Sequence, residues 1–306
     1  MIIDIHTHLG DILYPGGGAL IEKKGVKKGR IFDPITFGGW LLYRTLPGTS
    51  PEAKQRITLS AFIVKCERSR NLTATVENMR RSMDRAGVTQ NACMPIPPHV
   101  TFDDLERARR MDPGVIPFTG VDYTTDHDIQ AVLRDHVSRG AKGMKLHPII
   151  QNTPLTSERT FEAVEAFALH NLPVLFHSGV ASYYLGEEAV QRQNPSYGEI
   201  RYAADLVRAF PTVPFIAAHA GVVQIHDVME LLGPFRNARV DISFQSSENI
   251  RELLRVFGPD RVLYASDWPW GDRLPNIRTV KKACRGDKAL ERRIFYENAA
   301  ELMRLL

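Results

Sequence analysis

His6 and His8 stand two residues apart at the end of a short apolar run, Ile2, Ile3, Asp4, Ile5, His6, Thr7, His8. Residues i and i+2 of a strand share a face, so both imidazoles can reach one ion. With Asp4, the polar residues alternate at 4, 6 and 8, which reads as one polar face on a buried strand. Three further groups end apolar runs in the same way: His177 after Val174-Leu175-Phe176, His219 after Ile216-Ala217-Ala218, and Asp267 after Leu263-Tyr264-Ala265-Ser266. Imidazole and carboxylate together suit zinc, iron or manganese. Such an ion lowers the pKa of a bound water to about 7. Asp267 can ligate the ion and also take the water's proton, whereas His219 can be a ligand or a general acid–base beside it. One histidine at a strand end is ordinarily structural. Five polar groups converging on one end of a core would each cost free energy unless paired, so the set reads as a metal or active site.

Lys145 and His147 make a second pair with period two. Three uses stay open: Lys145 carbamylated and bridging two ions, either residue contacting an anionic substrate group, or both orienting a ligand. An unmodified lysine beside a divalent ion requires a depressed pKa or a neighbouring carboxylate. His127, His136 and His170 fall on or beside outer helices and read as structural, and His99 and His226 carry only weak signals. Asp11, Tyr14, Arg30, Tyr183, Tyr184, Trp268 and Trp270 are loop candidates for substrate specificity.

These residues need a scaffold that brings many strand ends together. Strands are expected at 2–8, 88–94, 115–121, 143–147, 174–177, 213–219, 238–244 and 261–266, with helices at 75–86, 102–111, 128–139, 157–170, 199–209, 223–232 and 249–257 and a helical C-terminal region. Eight strands alternating with helices in a 306-residue chain predict a single-domain (β/α)8 TIM barrel, an α/β fold whose active site lies at the C-terminal ends of its strands. No G-x-G-x-x-G or Walker A pattern follows a strand, and the run Gly16–Gly18 lacks the Lys-Ser/Thr of a phosphate loop. The rhythm fails only from 10 to 72, where a helix is expected at 52–68. An insertion of that length is expected to be a lid over the barrel mouth or an oligomer contact, which leaves a homodimer open.

The chain is 43% hydrophobic and 24% charged, with a net charge of +4, and reads as globular. The cluster Lys23, Lys24, Lys27, Lys28 and Arg30 is too small for a nucleic-acid stripe and reads as solvated surface or a steering patch for an anionic substrate. No long apolar stretch predicts a membrane span, the start lacks a signal-peptide pattern, and three scattered cysteines suggest no disulfide framework. A cytoplasmic protein with a small-molecule substrate and neither nucleic-acid nor membrane partners is the expectation.

The set His6-x-His8, Gly143-Met144-Lys145-Leu146-His147-Pro148, Phe176-His177-Ser178-Gly179, Ala218-His219-Ala220-Gly221 and Ser266-Asp267-Trp268-Pro269 resembles the amidohydrolase superfamily. The resemblance is to the amidohydrolase-related branch that includes aminocarboxymuconate-semialdehyde decarboxylase and resorcylate decarboxylase. It covers the chain apart from 10–72. It implies that His6, His8, His177 and Asp267 ligate one divalent ion, with zinc the expected metal. It implies that His219 acts on water or substrate in single-metal members. In two-metal members His219 ligates a second ion and a lysine such as Lys145 carries the bridging carbamate; one ion is the favoured expectation. Hydrolysis of a small carboxylate-bearing substrate by a metal-activated water is the leading reading. Non-oxidative decarboxylation of an aromatic or unsaturated carboxylic acid is the alternative, and a metal-retaining binding protein is the non-enzymatic one. Arg30 and Arg44 are the candidates to grip an anionic group, and Trp268 to contact substrate.

Overall fold

The structure, a computed structural model, describes residues 1–29, 33 and 60–306. Eight short parallel strands run in chain order: β1 (Ile3–Thr7), β2 (Gln90–Cys93), β3 (Val115–Pro117), β4 (Met144–Leu146), β5 (Val174–Phe176), β6 (Phe215–Ala217), β7 (Ala238–Asp241) and β8 (Val262–Leu263). Ladders join β1 to β3 and β4 to β8. Two sets of backbone bonds complete the ring. Thr119 N–H donates to Gly143 O and Lys145 N–H to Thr119 O, both at 2.8 Å, linking β3 to β4. Ile5 N–H donates to Tyr264 O, Asp267 N–H to His6 O and His8 N–H to Trp268 O, linking β8 back to β1. The fold is a (β/α)8 TIM barrel.

Several helices between strands begin on side-chain caps. Thr75 accepts from Asn78 N–H to start Val76–Ala86, Thr101 and Asp104 form a capping box on Phe102–Met111, and Ser157 starts Glu158–Ala168. Each helix buries its apolar stripe in the layer between helices and strands, where Met79, Met83, Leu105, Leu133, Phe167, Leu206 and Leu253 pack. A separate apolar cluster fills the barrel interior. It takes one face of each contributing strand: Ile3 and Ile5, Ala92 and Met94, Ile116 and Phe118, Leu175, Ile216, Leu263 and Ala265, with Ala299, Ala300 and Met303 of the C-terminal helix packed on it. Gly143 leaves room for Phe118, since a Cβ there would meet the phenyl ring at 2.3 Å.

The alternation expected on β1 is broken. The β1–β2 register shifts between Asp4 and Thr7. Ile3 and Ile5 face the interior, His6 and His8 then take over that face, and Asp4 points outward with Asn91 and Arg273. Asp4 therefore does not belong to the polar face of the two histidines. The strands also stop earlier than expected: β6 ends at Ala217 and β7 at Asp241, because the chain turns sharply at the residues that follow. The helix expected at 52–68 is observed at Ala61–Asn71, capped by Ser60; 52–59 lies outside the described residues. A helix at Glu187–Arg192, within what reads as a loop in sequence, has no buried residue and so no periodic signal.

Of the insertion, 10–29, 33 and 60–72 are described. Asp11 pairs with Arg68 and accepts from Asn71. Leu13 O accepts from Tyr184 and Arg192, and Tyr14 donates to Glu188, all in the loop after β5. These residues thus pack at the C-terminal end of the barrel. Cys66, Cys93 and Cys284 are all buried. No helix among the described residues is long and apolar enough to cross a membrane.

Candidate metal centre

The five predicted groups and the Lys145–His147 pair meet at the C-terminal ends of β1, β4, β5, β6 and β8, all buried. Backbone strain marks two of them. His219 has φ +60° and Asp267 φ +54°, left-handed conformations that cost about 1–3 kcal/mol each in a non-glycine residue. Bonds to neighbouring elements hold both. Gln245 Nε2 donates to His219 O, and Asp267 N–H donates to His6 O.

Hydrogen-bond partners fix the imidazole tautomers. His6 Nδ1 is 2.9 Å from Asp241 Oδ2. A carboxylate only accepts, so the proton sits on Nδ1 and Nε2 keeps a lone pair. His8 Nδ1 is 3.2 Å from Met94 O, so its Nε2 is also unprotonated. These two Nε2 atoms lie 3.2 Å apart. Asp267 Oδ1 completes the triangle, 3.6 Å from His6 Nε2 and 3.4 Å from His8 Nε2, and is buried with no hydrogen-bond partner among the described residues. Three electron pairs thus face one point. Ligands about 2.1 Å from a tetrahedral ion stand about 3.4 Å apart, which these separations match. An overlapping trio, His6, His219 and Asp267, offers one ligand atom each within 4.8 Å of one another. The His8 trio is the tighter, and its orphaned carboxylate oxygen makes it the better cradle.

His177 lies at the same mouth, its ring stacked on His147 at 4.4 Å and edge-on to His219 at 5.2 Å. Its Nε2–H donates to Gly179 O, which leaves the Nδ1 lone pair near Tyr183 Oη at 3.4 Å. His147 Nδ1 accepts from Ile150 N–H, so its Nε2 carries the proton and is a donor rather than a ligand in this state. Lys145 Nζ is 3.0 Å from His6 Nε2. Burial pushes the Lys145 ammonium down to about 8 against the pull of Asp267 and Asp241. Burial likewise holds His6, His8 and His219 well below the ordinary histidine value and lifts the Asp267 carboxyl well above the carboxylate range.

Two residues that the sequence reading did not nominate complete the centre. Asp241 ends β7, and besides His6 it accepts from His219 N–H at 2.9 Å and Ser243 Oγ–H at 2.6 Å. Ser243 Oγ in turn lies 2.8 Å from His219 Nδ1. The signal was available, since Arg239, Asp241 and Ser243 alternate as the histidine strands do.

The aromatic loop residues divide. Trp268 packs against Arg273, with the guanidinium 5.0 Å over its ring, in the layer between strands and helices. Trp270, also named from the sequence, meets Tyr183 edge-on at 5.7 Å, and Tyr183 in turn meets the rings of His147 and His177. The indole Nε1–H of Trp270 is buried without a partner among the described residues. Arg30 and Arg44 lie outside the described residues.

The amidohydrolase family model matches residues 3–305. No curated protein matches the sequence. Among solved structures, the chain is similar to 5-carboxyvanillate decarboxylase from Novosphingobium aromaticivorans, complexed with manganese and 4-hydroxy-3-methoxy-5-nitrobenzoic acid (TM-score 0.64, 14% identity, 99% of this chain and 96% of that one). It is also similar to 5-carboxyvanillate decarboxylase from Sphingomonas paucimobilis (TM-score 0.61, 13% identity, 99% and 98%). A third similar structure is a probable 2-pyrone-4,6-dicarboxylic acid hydrolase from Acinetobacter baumannii with citric acid bound (TM-score 0.60, 13% identity, 99% and 99%).

Proposed function

The chain belongs to the amidohydrolase family of enzymes, and from that premise we propose that it is a metal-dependent, non-oxidative decarboxylase of a small aromatic or unsaturated carboxylic acid. The observation that carries this reading is the aromatic wall beside the converging ligands. Tyr183 stands edge-on to His147, His177 and Trp270, and Phe244 packs 5.4 Å from His219. Such a wall accepts a flat, unsaturated ring. The solved decarboxylases of aromatic acids with this fold support the reading. Hydrolysis by a metal-activated water, the leading expectation from sequence, becomes the second reading, supported by the likeness to the pyrone-dicarboxylic acid hydrolase.

His6, His8, His177 and Asp267 would hold the ion, His177 through Nδ1. A divalent ion bound there supplies a Lewis acid for the substrate's carboxylate or an adjacent oxygen. Manganese fits this donor set as well as zinc does. The His147 Nε2–H and Trp270 Nε1–H are donors suited to the substrate's remaining oxygens. The acid form of His219 or Asp267 delivers a proton to the carbon that loses CO2. The carbon–carbon bond breaks, its electron pair stays on that carbon, and the proton takes the place of the carboxyl group. We favour one ion, because His147 is held as a donor and offers no lone pair to a second ion.

The test is a panel of aromatic and unsaturated carboxylic acids, esters and lactones, run on protein loaded with manganese or zinc. The expected result is CO2 release and a product that, in D2O, carries one deuterium at the decarboxylated carbon. Ester or lactone cleavage without CO2 would return the chain to the hydrolase reading.

A further inference from the structure

We propose that Asp241 and Ser243 form a positioning relay that fixes the tautomers of His6 and His219 together. The relay presents an unprotonated Nε2 at both rings and ties the metal ligand to the acid–base residue. The inference rests on the roles proposed above for His6 and His219.

Proton counting carries it. Asp241 is fully buried and its carboxylate only accepts. Oδ2 takes the His6 Nδ1–H at 2.9 Å. Oδ1 takes His219 N–H at 2.9 Å, Ser243 N–H at 3.0 Å and Ser243 Oγ–H at 2.6 Å. The single Ser243 hydroxyl proton is therefore committed to Asp241. The 2.8 Å contact between Ser243 Oγ and His219 Nδ1 must then be donated by the imidazole, because two lone pairs would repel at that distance. His219 rests with its proton on Nδ1 and an open Nε2. When Nε2 takes up a proton, the positive charge on the ring faces a charge-assisted path through Ser243 to Asp241. The same carboxylate holds His6 Nε2 toward His8 and Asp267. Ser243 touches only the His219 arm, so the two arms can be separated by mutation.

The experiment is two-bond 1H–15N correlation spectroscopy of histidine-labelled protein at neutral pH, zinc-loaded because zinc(II) is diamagnetic, and metal-free in parallel. His219 is assigned by difference from His219→Asn. The expected result is an Nδ1–H tautomer for His219, lost in Ser243→Ala and restored in Ser243→Thr, with His6 unchanged throughout. Affinity for zinc(II) should stay the same in Ser243→Ala and fall about 10- to 100-fold in Asp241→Asn, as for other outer partners of metal-bound histidines. Turnover of Ser243→Ala should show a lower kcat at unchanged KM. An Nε2–H tautomer of His219 in the unmutated protein, or a tautomer indifferent to Ser243→Ala, overturns the relay. If the tautomers behave as stated while no acid is decarboxylated, the relay stands and the decarboxylase reading falls.

Discussion

His6 Nε2 and His8 Nε2 face each other 3.2 Å apart with no proton between them, because each ring has its N–H on the far side, bonded to Asp241 and to Met94 O. Close lone pairs repel, and Asp267 Oδ1, without a hydrogen-bond partner among the described residues, brings a third electron pair to the same point. A divalent cation removes all three conflicts together. Adding manganese(II) or zinc(II) to metal-free protein at about 100 times its Kd should stabilise the fold by about 2.7 kcal/mol. At the ordinary entropy of unfolding for a chain of this size, that raises Tm by about 4 °C. Differential scanning fluorimetry should show the shift in the unmutated protein and none in His8→Ala or Asp267→Asn. A Tm indifferent to both metals rules out the centre.

The outward turn of Asp4 gives it a different task from that of His6 and His8. Its carboxylate accepts from Ser266 N–H and Oγ–H and from Arg273 Nε, and Arg273 Nη2 reaches Asn91 Oδ1 at 2.6 Å. Asp4 and Arg273 are both fully buried. Removing one partner of such a pair leaves the other charged and unpaired, which costs about 3–5 kcal/mol. Asp4→Ala should therefore lower the unfolding free energy measured in urea by that amount while the protein still binds as much metal per chain. Loss of metal with stability intact would instead place Asp4 in the centre.

That contrast shows what a sequence can and cannot carry. His6, His8, Lys145, His177, His219 and Asp267 were legible because each is a costly polar residue at or near the end of an apolar run, and polar groups on five strand ends are relieved together only by a shared site. Their convergence followed from the barrel. The β-bulge in β1 was not legible: no Gly or Pro marks it, and it reverses the face of every residue before it. Which of the two named indoles, Trp268 or Trp270, joins the aromatic wall was not legible for a related reason. Strand parity beyond β8 depends on the left-handed turn at Asp267, which backbone geometry sets and composition does not announce. Asp241 and Ser243 were legible by their alternation, but an aspartate at a strand end draws less notice than a histidine.

The buried histidines predict how metal-free protein responds to acid. Burial lowers His99 to about 4 and His177 to about 3, and holds His6, His8, His147 and His219 well below 6.5. Above 6.5 these groups are neutral folded or unfolded and stability is complete. Below 6.5 the unfolded chain takes up protons that the folded chain refuses, so stability is lost as the pH falls from 6.5 through about 4 and towards 3. Each histidine contributes up to about 1.4 kcal/mol per pH unit. Urea midpoints of metal-free protein should be level from pH 8 to 7 and fall steeply from 6.5 to 5. His99→Gln should make the fall shallower by one proton. A level profile down to pH 5 contradicts the burial of these rings as neutral species.

Trp270 offers the cleanest separation of binding from chemistry. Its ring belongs to the wall with Tyr183, and its Nε1–H is buried with no partner among the described residues. A buried donor without an acceptor is unfavourable in the free enzyme, and a substrate oxygen in reach would relieve it. Trp270→Phe keeps an aromatic face and deletes the donor. A neutral hydrogen bond contributes about 1–1.5 kcal/mol, so KM for an oxygenated aromatic acid should rise about 5- to 12-fold with kcat nearly unchanged. The same substitution should leave KM unchanged for an acid lacking the ring oxygen, if that oxygen is the acceptor. Trp268→Phe, on the far side of the turn against Arg273, should leave both constants alone and lower Tm instead, because the smaller ring weakens a cation–π contact and leaves space in the packed layer. An increase in KM for Trp268→Phe and none for Trp270→Phe would reverse the assignment of the two indoles.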